Sequence, residues 1–272
     1  ARGVITHNPL NAQIIRDFSP APVLYAPLPY VRRADIRPPV LRTKKTQDPY
    51  QIVMFGFLGS SNRRLKPFLE AFAECQSKGR FRVVIAGKYR EKEVGKWIQN
   101  LSLGNLVKPK GFLPEEDLES LLHKSDLCIN LRYPSRGESS GTLLRSWNHS
   151  LPSLVTNTDY YTTIPQDAVS TVNPNNEKED IISHLDAFAE NPEPYYQKGL
   201  TARDRLERLH STDAFAGFLE DFLPKVEEAR GLPQLQAFGK ALARNYFSNY
   251  PDPSAREELS KVCAKEVARW SC

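Results

Sequence analysis

The sequence predicts an α/β protein built on a Rossmann-like, doubly wound parallel sheet with a helical C-terminal extension. Three observations carry this. Short apolar runs rich in strand formers alternate with stretches of helical periodicity across residues 51–172, the alternation that lays helices on both faces of a parallel sheet through right-handed crossovers. The run Leu127, Cys128, Ile129 and Leu131 lacks strict polar alternation, as a strand covered on both faces requires. Strand-like runs also close on glycine or proline before a helix-like stretch, as in Gly59-Ser60-Ser61-Asn62, Gly87-Lys88 and Tyr133-Pro134-Ser135-Arg136-Gly137.

Residues 3–6 read as a strand, and Asn8-Pro9 opens a short helix with Leu10, Ile14 and Ile15 on one face. Residues 22–28 read as extended. Pro27, Pro29, Pro38 and Pro39, followed by Arg42, Lys44 and Lys45, describe a stiff, solvated connector. This opening fragment is too short for a core, and its start on a strand-like run at Ala1 leads to the expectation of more chain upstream. Residues 51–57 form the next strand, and a helix over 64–76 turns Phe68, Leu69, Phe72 and Ala73 inward. Residues 81–86 are a strand, 91–101 an amphipathic helix and 106–108 a short strand closed by Lys110-Gly111-Phe112. Pro114-Glu115-Glu116-Asp117 then opens a helix; proline and acids favour a helix start, so this acidic cluster is structural before it is a metal site.

After a central strand, loop and helix over 126–151, residues 152–156 make another buried strand and 169–172 a last short one. From Glu177 onward the pattern is helical. Ile181, Ile182, Leu185 and Phe188 form one face, Leu206 and Leu209 another, and Phe215, Phe218, Leu219, Phe222 and Leu223 a third. Gly231-Leu232-Pro233 and Pro251-Asp252-Pro253 split the remainder into further helices. The organisation expected is an opening segment and linker over 1–49, a Rossmann-like domain over 50–212 and a helical extension over 213–272.

At 272 residues the chain is long enough to bury a full core, and its 40% hydrophobic and 25% charged content is that of a soluble globular protein. A formal charge of +5 favours anionic partners such as nucleoside diphosphates or acidic lipid surfaces. The basic residues are dispersed among acids with no aromatic-interleaved basic motif, which argues against nucleic acid. Cys75, Cys128, Cys263 and Cys272 show no close pair of metal-ligand or redox spacing, and a reducing, cytoplasmic setting is expected. No apolar run is long enough to cross a bilayer, so any membrane contact is expected to be peripheral.

The stretch Asp126 to Ser146, DLCINLRYPSRGESSGTLLRS, is where chemistry is expected. A helix begins near Ser139 or Ser140, either of which can cap its amides, and Gly141 lets another group approach the backbone. The loop lies at the carboxyl end of its strand. Ligands of open α/β sheets sit there, and free helix-start amides favour phosphate. Glu138 would be repelled by phosphate, so it accepts hydrogen bonds from a neutral polyhydroxyl group attached to that phosphate. His7, His123, His149, His184 and His210 are scattered and read as surface or capping residues.

Gly137-Glu138-Ser139-Ser140-Gly141 and Arg145 resemble the carboxy-terminal, donor-binding half of retaining glycosyltransferases of the GT-B fold, specifically family 4. Those enzymes carry two glutamates separated by seven residues across this strand, loop and helix. Here the first is Glu138 and the place of the second, which holds the nucleotide ribose, is taken by Ser146. The resemblance implies metal-independent transfer of a sugar from a nucleotide-diphosphate sugar to an acceptor hydroxyl, with no other cofactor. It implies a donor site made of Gly59, Ser60, Arg63, Arg64, Phe112, Leu113, Glu138, Ser139, Ser140, Gly141, Thr142 and Ser146. Within it Arg63 or Arg64 grips the diphosphate, with Lys66 a weaker candidate, Phe112 and Leu113 cradle the base, and Glu138 holds the sugar hydroxyls. Glu138 and Arg63 are the expected catalytic residues, and Arg145 is read as a helix-borne structural arginine, the alternative being a role near the donor. The alternative is a non-catalytic nucleotide-sugar-binding or interaction module of the same fold; a sugar-nucleotide epimerase of that fold fits the Glu138 loop less well. Since the acceptor-binding half is represented only by its last segment, the isolated chain is expected to have little or no activity.

Overall fold

The computed structural model of the protein describes residues 2–31 and 49–229. The expected connector residues Pro38, Pro39, Arg42, Lys44 and Lys45, and the helices expected beyond Gly231, lie outside the described residues. The chain divides into two compact units, one of Ala1–Pro27 with Asp213–Cys272 and the other of Leu28–Thr212.

The smaller unit opens with β1 (Val4–Thr6), α1 (Pro9–Phe18) and β2 (Val23–Tyr25), the two strands pairing in parallel. Asn8 caps α1 by accepting the Leu10 N–H at 3.0 Å, with Pro9 at the first helical position. Of the residues expected on the apolar face of α1, Ile15 is half-buried. Ala12 is fully buried whereas Leu10 and Ile14 are 41% and 54% exposed.

The larger unit carries β3 (Tyr50–Phe57), α2 (Leu65–Glu74), β4 (Phe81–Lys88), α3 (Glu91–Asn100), β5 (Val107–Gly111), α4 (Glu115–Lys124), β6 (Leu127–Asn130), α5 (Gly141–Asn148), β7 (Ser153–Thr156), β8 (Ser170–Val172), α6 (Glu177–Glu190) and α7 (Glu193–Leu209). The last helix among the described residues, α8 (Thr212–Glu228), belongs to the smaller unit, where Val226 and Phe222 lie against Gly3; a Cβ there would stand 2.8 Å from Val226.

The six-stranded sheet runs β5-β4-β3-β6-β7-β8, with every neighbouring pair parallel. This is the expected α/β, Rossmann-like order, with chain direction through the sheet reversing between β3 and β6. β6 is central, pairing Leu127 with Ile52 and Cys128 with Ser153.

Alternate residues explain why the strands show no polar alternation. Ile52, Met54, Leu127 and Ile129 enter one core with Phe68, Leu69 and Phe72 of α2 and Ile181, Leu185 and Phe188 of α6. Val53, Phe55 and Cys128 enter the opposite one with Leu122 of α4 and Leu151. A third cluster joins Leu143, Leu144 and Trp147 of α5 to Tyr160, Tyr161 and α7 residues Ala202 and Leu206. Phe188 meets Tyr50 and Tyr196 edge-on at 5.4 and 5.8 Å, contacts each worth about 0.5–1.5 kcal/mol beyond buried area.

The acidic start of α4 is structural, as expected. Arg145 of α5 pairs with Glu115 and Glu119, and His149 donates a hydrogen bond to Glu119. His149 is therefore a buried partner rather than a surface residue, as is His210, whose ring meets the Leu28 carbonyl at 2.7 Å. Among the described residues no helix is long and apolar enough to cross a membrane.

Two features of this framework generate predictions. Gly87 has φ +122°, and a Cβ added there would stand 2.1 Å from the carbonyl oxygen of Gly56, its register partner on β3. Gly87→Ala is expected to cost about 3 kcal/mol or more in urea denaturation, a strained backbone position with a steric clash. Gly95→Ala is the control: nothing lies within 4 Å of its Cβ position inside α3, so relief of backbone entropy should stabilise by roughly 0.5–1 kcal/mol. The second feature is Glu119. Burial pushes its carboxyl up, but the hydrogen bond from His149 and the Arg145 charge outweigh this and hold it below its unfolded value of 4.5. A depressed folded pKa gives stability that is present above pH 4.5 and lost as pH falls through the folded value. Glu119→Gln should therefore lower stability at neutral pH and flatten the loss measured as the pH falls below 4.5.

Candidate functional site

The reversal of strand order between β3 and β6 leaves a crevice at their carboxyl ends. Only two register pairs join these strands, Ile52 with Leu127 and Val53 with Cys128; beyond them β3 continues to Phe57 beside β4 and β6 to Asn130 beside β7, so the two strands part before their loops begin. The loops are then tied together: the Tyr133 N–H donates to the Asn62 carbonyl at 2.8 Å.

In the loop after β3, Gly59 and Ser60 are exposed and residues Ser61–Arg63 make one turn of 3-10 helix. Arg64 ends that turn in the left-handed conformation, φ 55°. This reversal sends two adjacent arginines to different fates. The Arg64 guanidinium forms a forked pair with Glu177 at the start of α6, its Nε donating to Oε1 at 2.9 Å. The Arg63 guanidinium has no hydrogen bond or ion pair among the described residues. Partial burial and then the nearby Arg132 charge push it below the usual arginine range.

The loop after β6 explains that neighbour. Arg132 is 3% exposed. Its backbone N–H donates to Thr156 Oγ1 at 3.0 Å, one guanidinium nitrogen pairs with Glu138 and the other donates to Ser140 Oγ at 3.2 Å. Glu138 also accepts the Arg136 N–H at 3.0 Å. Burial works against the Glu138 carboxylate, but backbone amides, its own among them, and the Arg132 charge hold its pKa below the ordinary glutamate value.

Of the two serines, Ser140 is the cap. Its hydroxyl accepts the Leu143 N–H at 3.2 Å and the Asn130 side-chain amide at 3.1 Å, and lies 2.9 Å from Thr142 Oγ1. Ser139 is half-buried beside it. The Gly141 and Thr142 amides are first-turn donors without a helical partner. Gly141 is exposed, with nothing within 4 Å of its Cβ position.

Tyr161 completes the group from the one-turn helix after β7. Its hydroxyl is in electrostatic reach of Arg132, Ser140, Arg63 and Glu138, yet completes a hydrogen bond with none of them. Burial raises its pKa, so it stays a neutral donor.

The structure thus brings Arg63, Glu138, Ser140 and Gly141 to one crevice and keeps Arg64 out of it. Ser146 is also turned away. It is fully buried, its hydroxyl directed to the Thr142 carbonyl at 3.1 Å and to Cys128 Sγ at 3.2 Å. Phe112, 75% exposed, and the half-buried Leu113 follow β5 at the same carboxyl edge of the sheet. Arg145, paired with two glutamates, is structural as expected. Arg132, Asn130 and Tyr161 went unrecognised in the sequence. The available signal was Asn130 and Arg132, polar residues interrupting an apolar run at its carboxyl end. The Cys128 thiol, pushed up to about 12 by burial, is inert. What this arrangement offers is a cluster of cationic and neutral donors with a single carboxylate among them, suited to an anion carrying hydroxyl groups.

Comparison with known proteins agrees with the fold. No curated protein matches the chain. Among solved structures, sucrose-phosphate synthase from Thermosynechococcus elongatus superposes with TM-score 0.66 at 16% identity over 84% of this chain and 59% of that one. Anabaena HepE in complex with UDP and glucose gives TM-score 0.66 at 15% identity over 82% and 63%, respectively. A TarM mutant from S. aureus in complex with fondaparinux, alpha-GlcNAc-glycerol and UDP gives 0.64 at 14% over 83% and 44%. The chain therefore spans less than two thirds of each of these structures. The family model for glycosyl transferases group 1 matches residues 42–205, and because that is more than half of the 272 residues, the chain belongs to the glycosyl transferases group 1 family.

Proposed function

We propose that the chain is the donor-binding half of a retaining, metal-independent glycosyltransferase of family 4. A nucleoside-diphosphate sugar lies between the loop ending at Arg63 and the loop of Glu138 to Gly141, and its sugar passes to an acceptor hydroxyl. One observation carries this reading: Arg63, without an ion pair among the described residues, lies in electrostatic reach of Arg132 and Glu138, which belong to the loop leading into the capped start of α5. The UDP complexes of HepE and TarM support a nucleoside diphosphate as the ligand class. In the organisation proposed, residues 50–212 hold the donor, 1–49 contribute the end of the acceptor side with its linker, and 213–272 form the helical extension. A cytoplasmic setting with at most peripheral membrane contact completes the reading.

In glycosyl transfer the leaving group is the diphosphate, so the site must stabilise negative charge as the glycosidic bond breaks. Arg63 and the first-turn amides of α5 meet that charge as it grows, without supplying a nucleophile. Glu138 accepts hydrogen bonds from the sugar hydroxyls and so fixes the reacting carbon against the phosphate. Phe112 and Leu113 cradle the base. Ser146, turned inward, takes no part, so α5 supplies no carboxylate to the ribose. That absence favours the second reading, a nucleotide-sugar-binding or interaction module without catalysis.

Calorimetry with UDP and UDP-glucose separates the roles. Arg63→Gln should weaken both ligands alike by about tenfold, since both carry the phosphates. Arg64→Ala should cost roughly 1–3 kcal/mol of stability through the orphaned Glu177, yet leave UDP affinity unchanged. Glu138→Ala should lower affinity for UDP-glucose relative to UDP. An equal effect on the two ligands would remove Glu138 from the sugar. The isolated chain should show little or no transfer, because positioning needs both walls of the cleft; robust transfer by the purified chain would refute this division of labour.

A further inference from the structure

The donor groups of the crevice outnumber its acceptors. Arg132 Nε has no hydrogen-bond partner although the residue is 3% exposed, and the Tyr161 hydroxyl, on a fully buried side chain, has none either. Arg63 adds a guanidinium with no counterion among the described residues. The carboxylate in electrostatic reach of both Arg63 and Tyr161 is Glu138.

The pair that Glu138 makes with Arg132 is lopsided. Arg132 is held in place by Thr156 and Ser140, and its side chain is 4% exposed; Glu138 sits on the loop surface with its side chain 36% exposed. A structural ion pair at this depth would have both partners buried and every N–H satisfied. Here the cation is fixed and deep, while the anion is shallow and borne on an open loop.

We infer that Arg132 is a concealed anion-binding residue of the crevice and that Glu138 is its displaceable internal counterion. An incoming diphosphate takes over the Arg132 guanidinium from Glu138, adding a second cation to Arg63, and the released carboxylate turns to the hydroxyl groups attached to that phosphate. The exchange keeps the buried charge compensated throughout, which a simple approach of phosphate to an unpaired arginine would not. It also makes Glu138 a brake on bare anions: a phosphate without hydroxyls must displace the carboxylate and offers it nothing in return. The site thereby discriminates between an inorganic or nucleotide phosphate and a sugar-bearing one. This inference rests on the donor reading for the identity of the ligand, not for the anion seat itself.

The test uses inorganic pyrophosphate, titrated calorimetrically at low salt into the full chain. Glu138→Gln should bind it about tenfold more tightly than the unaltered protein, because the internal competitor is neutral. The gain should shrink with rising ionic strength. Adding Arg132→Gln to Glu138→Gln should abolish the gain, with circular dichroism confirming the fold. No gain in the single variant, or a gain that survives in the double, overturns the inference. Should the Arg132 variant fail to fold, crystals of Glu138→Gln soaked in tungstate decide: an anion in hydrogen-bond reach of Arg132 supports the inference, and one bound at Arg63 alone overturns it. If the pyrophosphate pattern holds while UDP and UDP-glucose fail to bind, the donor reading falls and the concealed cation stands. If both nucleotides bind and the pyrophosphate pattern fails, only the present inference falls.

Discussion

The pairing of β3 with β6 is the constraint on which the candidate site depends. Chain direction through the sheet reverses there, so the loops that leave these two strands face each other across a crevice instead of following one another. Asp126 fastens the junction at its other end. The Gln51 N–H donates to Asp126 Oδ2 at 2.7 Å, the Asp126 N–H donates to the Gln51 carbonyl at 2.7 Å, and the Tyr196 hydroxyl reaches Oδ1 at 3.3 Å. These bonds set the register at the amino ends. Past the carboxyl ends, the Tyr133 N–H bonded to the Asn62 carbonyl joins the loop that carries Arg63 to the loop that carries Arg132.

Charge placement follows from backbone geometry more than from composition. Arg63 and Arg64 are chemically identical neighbours, and a single left-handed residue decides that one neutralises Glu177 while the other stays without an anion. Within the β6 loop the same principle acts through depth. Arg132 lies where water is excluded, so its charge is felt by Arg63, Tyr161 and Glu138 together.

Much of the sheet was legible because periodicity reports burial. Strands covered on both faces cannot alternate, and β3 and β6 do not. The cap of α5 was legible as a choice between two serines; only φ and ψ at Ser140 separate them. The site was harder to see. Hydropathy gives no warning of an arginine that is buried, as Arg132 is, because the same letter usually marks solvent. Nor does it show that Ser146 bonds back to its own helix, or that His149 is sealed against Glu119. The apolar stripe of α1 is only partly covered: Ile15 is half-buried, Leu10 and Ile14 are exposed, and the fully buried residue is Ala12.

The hydroxyl of Ser140 is met by N–H donors from Leu143, Asn130 and Arg132. Its own proton points to Thr142 Oγ1, since the Thr142 proton goes to Asn130 Oδ1 at 3.2 Å. Asn130, Ser140 and Thr142 therefore form a closed circuit in which every hydrogen bond runs in the same rotational sense. Such a ring polarises itself, each link strengthening the next. The ring also joins the last residue of β6 to the cap and first turn of α5, so strand end and helix start are held as one piece.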